Sequence, residues 1–143
     1  PGTESASEME RRARMACADG EHARAAALYG QAARQNPGEY FAYRQAGEWM
    51  HLERFADAEK AYRAMLARDP GALNARMNLA LAVLGQGRRE EARDLFRALA
   101  DGAEAEANPD LAARARLAAE LVGKQIALDR AEPETQGIDG AMR

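Results

Sequence analysis

A three-part pattern recurs three times in this chain and limits what it can become. Ala25 is followed four residues later by Tyr29 and three after that by Ala32. Ala58 leads in the same way to Tyr62 and Met65, and Ala92 to Phe96 and Leu99. The copies start 33 and 34 positions apart. Steps of four and three put the side chains of each copy on one stripe of an α-helix. A period of this length marks one supersecondary unit stacked on its neighbours. Composition agrees. About a quarter of the residues are alanine, and Val83, Val122, Ile126 and Ile138 are the only valines and isoleucines. That favours helix and leaves too little to furnish a sheet, so the expected class is all-α.

The segment before each copy reads as a partner helix. Asn78-Leu79-Ala80-Leu81-Ala82-Val83-Leu84-Gly85-Gln86-Gly87 runs into Arg88-Arg89-Glu90-Glu91-Ala92, with Leu79 and Ala80 on the packing face and Gly87 in the turn. Repeat two offers Ala42, Ala46 and Trp49, with Phe55 in the turn; repeat one offers Met9, Ala13 and Ala16, then Asp19-Gly20. Antiparallel helices joined by a short turn approach closely only where small side chains meet, as Ala46 would meet Ala58 and Ala80 would meet Ala92. Trp49, Tyr62, Leu79 and Phe96 are expected to fill the space between hairpins.

In period, small-residue positions and turn glycines the chain resembles the tetratricopeptide repeat family over roughly residues 6–104. It departs at Arg12 and Gln45, where leucine is usual, at Arg76, where tryptophan is usual, and in having no proline at the end of repeat three. The resemblance implies an α-solenoid, a superhelix of three helix-turn-helix repeats at about 6–38, 39–72 and 73–104. Turns are expected near Gly20, Arg54 and Gly87. Pro37 and Pro70 end helices, because proline cannot continue one. Ser7 with Glu10 reads as a capping box.

The acidic stretch Asp101–Ala107 reads as a connection, and Asn108-Pro109 as the cap and first turn of a closing helix over 109–130. Leu111, Ala115, Ala118 and Val122 form its packing stripe. Leu117, Leu121 and Leu128 form a second apolar stripe that suggests a further contact, either self-association or packing against a missing part of a parent protein. Residues 1–5 are expected to be disordered and 131–143 a flexible tail. With Pro1 in first place, the chain is expected to be a processed or trimmed piece of a longer one.

Several chemistries are unsupported. Net charge is −3 with both signs interspersed, a poor footprint for nucleic acid. The longest apolar run, Leu79–Leu84, is too short to insert into a membrane. Gly85-Gln86-Gly87 lacks the preceding strand and following Gly-Lys of a phosphate loop, and reads as a turn. His22, His51 and Cys17 show no spacing typical of zinc sites, and read as a helix-surface histidine, a groove-edge histidine and a small hydrophobe. Glu90-Glu91 and Glu104 with Glu106 read as solvated charge rather than acid–base pairs. No cofactor, no metal and no catalytic residue is expected, and the compartment stays open between cytoplasm and periplasm.

In tetratricopeptide arrays the first helix of each hairpin lines a concave groove. By register the resemblance places there Glu10 and Arg14; Tyr40, Tyr43, Arg44, Gly47, Met50 and His51; and Asn74, Met77, Asn78, Leu81 and Leu84. Tyr43 and Met77 are expected to be interface anchors, with Trp49 and Phe96 in the core. Chaperone-binding members of the family hold a peptide's terminal carboxylates with a Lys/Asn, Asn, Lys/Arg clamp. Here the matching positions are Glu10, Arg14, Arg44, Asn74 and Asn78; Glu10 repels a carboxylate and the third-repeat cations are missing. The resemblance therefore implies a scaffold or adaptor that binds a partner helix or extended peptide. The alternatives are a small bacterial secretion chaperone shielding an export substrate, or an accessory domain of a larger enzyme or envelope-assembly protein.

Overall fold

The computed structural model describes residues 4–142, with side chains described through residue 131. Among the described residues there are seven helices and no strand: α1 (Ala6–Ala18), α2 (His22–Gln35), α3 (Glu39–His51), α4 (Phe55–Arg68), α5 (Leu73–Gly85), α6 (Arg89–Ala105) and α7 (Pro109–Met142). They form two compact units, one of α1–α5 (Pro1–Gln86) and one of α6 and α7 (Gly87–Arg143). No helix with described residues is long and apolar enough to cross a membrane.

In the first unit each helix packs against the next in sequence. The repeated triplets occupy α2 and α4, and all their members are buried, as are those of α6 in the second unit; Met65, at 7% exposure, is the most accessible of the nine. Ala46 and Ala58, the small residues expected at a helix crossing, are fully buried, as are Ala80 and Ala92. Around Tyr29 cluster Met9, Ala13, Ala16, Ala25, Leu28, Ala32 and Phe41. Gln45, one of the departures, finds a backbone partner: its Nε2 donates to Ala26 O at 3.1 Å. The side chain passes Gly30, where any Cβ would meet Gln45 Nε2 at 2.5 Å.

The turns after α1 and α3 share one geometry. At the end of α1, Gly20 N donates to Cys17 O and Glu21 N to Ala16 O at 2.8 Å. At the end of α3, Glu53 N donates to Met50 O and Arg54 N to Trp49 O at 2.8 Å. This is the Schellman closure, which needs a left-handed residue just past the helix. Gly20 (φ 79°) and Glu53 (φ 57°) supply it, and Ala107 (φ 56°) does so after α6. In the second unit, Phe96, Leu99, Ala100 and Ala103 of α6 and Leu111, Ala112, Ala115, Ala119, Val122 and Ile126 of α7 are buried. Arg89 and Asp129 form an ion pair between the two helices at 2.5 Å.

Several sequence expectations need correction. The first cap is Ser5, whose Oγ accepts from Glu8 N at 3.2 Å; Ser5–Glu8 has the same spacing as Ser7–Glu10, and starting there lets Ala6 pack against the Tyr29 cluster. Glu4 is held by Arg12 at 2.5 Å and by Gln35, while residues 1–3 lie outside the described residues. The stretch 101–105 continues α6, because Ala103 extends its buried stripe, and the break shrinks to 106–108. Asn108 caps α7 as expected, accepting from Leu111 N at 3.2 Å. In α7 the buried stripe continues through Ala119 and Ile126, with Ala118 only half-buried. In α3, Phe41 is buried where Ala42 was expected, and Trp49 is half-buried with the Arg54 guanidinium over its ring. The helix boundary expected near 130 is not marked, since α7 runs to Met142. The side chains of 132–143 lie outside the described residues, and so does the expected flexibility of that tail.

A Cβ at Gly20 meets nothing within 4 Å, so Gly20→Ala isolates the backbone cost of a left-handed residue. It should lower unfolding free energy by about 1 kcal/mol in urea denaturation. Glu53→Gly, at the equivalent turn, should be neutral or stabilising.

Candidate protein-binding groove

The residues expected to line a groove lie on α1, α3 and α5, all within the first unit. Glu10 is half-buried and Arg14 exposed on α1. On α3, Tyr40, Arg44 and His51 are exposed, and Tyr43, Gly47 and Met50 half-buried. On α5, Asn74 and Leu81 are exposed, and Met77, Asn78 and Leu84 half-buried. None is part of the sealed core. Tyr40 at 50% and Leu81 at 39% exposure are large hydrophobic surfaces left in water.

Two polar links hold this face together. Tyr40 Oη donates to Glu10 Oε1 at 2.6 Å and accepts from Arg14 Nη2 at 3.2 Å. Arg14 also pairs with Glu10 at 2.8 Å. The bond to Tyr40 and the Glu10 carboxylate together raise the Arg14 pKa above its ordinary value. Across α3 and α5, Asn78 Nδ2 donates to Tyr43 Oη at 2.8 Å, and the Tyr43 ring meets Tyr62 edge-on at 5.9 Å. Arg44 is spread over the Tyr29 ring, 5.8 Å from its centroid, and its pKa is raised by the hydrogen bond to Tyr29. Burial pushes the Tyr62 hydroxyl far above the usual phenol range, so it stays protonated.

Between α3 and α5 lies a cavity of about 270 Å³ lined by Glu39, Tyr40, Tyr43, Met65, Ala72, Asn74 and Ala75. Three of the expected groove residues, Tyr40, Tyr43 and Asn74, therefore share one apolar recess with a polar rim. This is the composition of a small docking pocket.

Sequence reasoning missed a second constellation. Cys17, at the end of α1, and His22, at the start of α2, meet Glu48 of α3; one donor atom from each lies within 4.8 Å of the other two. Glu48 Oε2 is 2.6 Å from His22 Nδ1, and His51 stacks on the His22 ring at 4.4 Å. The histidines are thus neither independent nor simple surface residues. The available signal was the pair of short spacings, Cys-x₄-His across a tight turn and Glu-x₂-His on one helix face.

No protein-family model and no curated protein sequence matches this chain. Solved structures do. The Sgt2 TPR domain from Aspergillus fumigatus shares its fold at a TM-score of 0.70 and 21% identity, over 90% of this chain and 83% of that one. The chain has the tetratricopeptide repeat fold. PcrH from Pseudomonas aeruginosa matches at a TM-score of 0.71 and 17% identity, over 85% of this chain and 96% of its own. The first TPR of Spaghetti (RPAP3), solved bound to the HSP90 peptide SRMEEVD, matches at 0.68 and 17%, over 88% and 96%. In the first unit α1 and α3 open successive hairpins, with α2 and α4 as their second helices, and α5 packs against α4.

Gly47 offers a test of this face. It lies inside α3, and a Cβ there would meet nothing within 4 Å. Gly47→Ala should therefore stabilise the chain, by up to about 1 kcal/mol through helix propensity and a restricted unfolded state. A lowered melting temperature would mean that Gly47 is closely covered within the fold itself.

Proposed function

We propose that this chain is a protein-interaction module that takes a partner helix or extended peptide along α1, α3 and α5. The observation that carries the reading is the exposed Tyr40 beside the recess it shares with Tyr43 and Asn74. Aromatic side chains give large contact area for little entropy and are favoured as anchors where a pocket receives them. Leu81, Met77 and Met50 extend the apolar surface along the same helices, and methionine adapts to irregular partners. Arg14 and Arg44 add two guanidinium groups next to the aromatic recess. The role is to bind, and the likeness to TPR domains supports it.

The ligand of the RPAP3 domain is not carried over. SRMEEVD ends in carboxylates, whereas here Glu10 brings a carboxylate to the clamp position and ties up Arg14. The preferred partner is an apolar helix or peptide with few acidic groups. A secretion chaperone shielding an export substrate would use the same surface. On α7, Leu117, Leu121 and Leu128 are exposed, and we assign to that stripe a second contact, between copies of the chain.

A pull-down with wild-type bait and with a Tyr40→Ala, Leu81→Ala bait tests the main reading. Both side chains are substantially exposed, so the double variant should melt close to wild type, while loss of an anchor costs about 2 kcal/mol or more of binding. A partner held by wild type and lost by the variant supports the groove; equal capture by both refutes it. Tyr29→Ala, in the sealed core, should instead cost roughly 3–5 kcal/mol of stability. For α7, sedimentation at high micromolar concentration should show association that Leu121→Glu abolishes.

A further inference from the structure

Glu48 is the one buried charged side chain among the described residues, at 6% exposure. A carboxylate is not taken out of water without a compensating partner. Its neighbours are unusual for a structural ion pair: an imidazole nitrogen at 2.6 Å and a thiol, with a second imidazole stacked behind the first. Cys17 Sγ, a His22 ring nitrogen and a Glu48 carboxylate oxygen all lie within 4.8 Å of one another.

We propose that Cys17, His22 and Glu48 form a binding site for a borderline divalent transition-metal ion, best matched by zinc. Thiolate, imidazole and carboxylate together are a ligand set for this class of ion and not for magnesium or calcium. Charge supports the assignment. Thiolate and carboxylate contribute two negative charges, which cancel the dication, so the half-buried site ends neutral. Geometry supports it too. Zinc bonds of about 2.0–2.3 Å place tetrahedral ligand atoms roughly 3.3–3.8 Å apart. The three donors already lie within 4.8 Å, and the 2.6 Å approach of His22 to Glu48 opens slightly as the metal replaces the shared proton. Binding releases the Cys17 proton to solvent and moves the imidazole proton away from the nitrogen that takes the metal.

The scaffold is rigid. Cys17 and His22 flank the Schellman turn at Gly20, and Glu48 lies on the helix packed against α2. His51, one turn beyond Glu48, is exposed and stacked on the His22 ring, and the fourth coordination position takes water. The ion would tie the first hairpin to the second by coordinate bonds, at the edge of the face proposed to bind a partner.

The experiment is a Co²⁺ titration of the full chain under reducing conditions. The expected result is one equivalent bound, with thiolate-to-metal charge transfer in the near ultraviolet and the intense d–d bands of a four-coordinate ion. Zn²⁺ should displace it and raise the melting temperature. Cys17→Ser should abolish the charge-transfer band. His22→Gln should weaken Zn²⁺ by more than the roughly tenfold to hundredfold that an outer-sphere partner costs. Glu48→Gln, judged by circular dichroism to be folded without metal, should lose the Zn²⁺-induced rise in melting temperature. Absence of stoichiometric binding, or a charge-transfer band that survives Cys17→Ser, would overturn the site and leave Glu48 as the anion of an ion pair only.

Discussion

The fold rests on how closely two helix backbones can approach, and that distance is set by alanine. Ala25, Ala58 and Ala92 have no measurable exposure, and four residues along each helix follows an aromatic ring that is almost completely enclosed. A methyl group lets backbones approach closely, and the enclosed ring fills the space beside it. Larger residues at the alanine positions would push the backbones apart, and smaller rings would leave voids. The remaining features follow from this spacing. Because α2 and α4 take so much of the burial, the first helices of the hairpins can carry aromatic, amide and guanidinium groups on one face without losing the core.

That face is already organised by its own polar groups. Glu10, Arg14 and Tyr40 satisfy one another, as do Tyr43 and Asn78. Side chains fixed in this way lose less entropy when a partner arrives. The cost is that the cations are partly committed, which in the proposed role favours apolar over acidic peptides.

The helical class and the hairpins of α1 with α2 and of α3 with α4 were legible because they depend on period and on residue size, both of which survive in a linear reading. The aromatic triplets are the clearest instance. What escaped was set by tertiary placement. Ser5 and Ser7 both have a glutamate three residues on, and only the packing of Ala6 decides between them. Gly102 and the acidic residues around it look like a loop until Ala103 is seen to extend the buried stripe of α6. Trp49 has the composition of a core residue but lies half-exposed beneath Arg54. The candidate groove was read as a set of helix faces, whereas the Glu48 cluster left only two short spacings, and nothing in the local sequence marks that carboxylate as buried.

Gln45 and Gly30 show what such placement implies for the history of the chain. Each looks unfavourable alone: an amide at a position usually held by leucine, and a glycine in the middle of α2. Together they are complementary, since the missing side chain at 30 exposes the Ala26 carbonyl that the amide at 45 bonds. A change at either one alters the setting of the other. A methyl group at 30 would displace the amide, and a leucine at 45 would give up the carbonyl bond while a glycine still weakened the helix. The two positions form an epistatic pair, their effects on stability non-additive, and related chains should substitute them jointly or keep both.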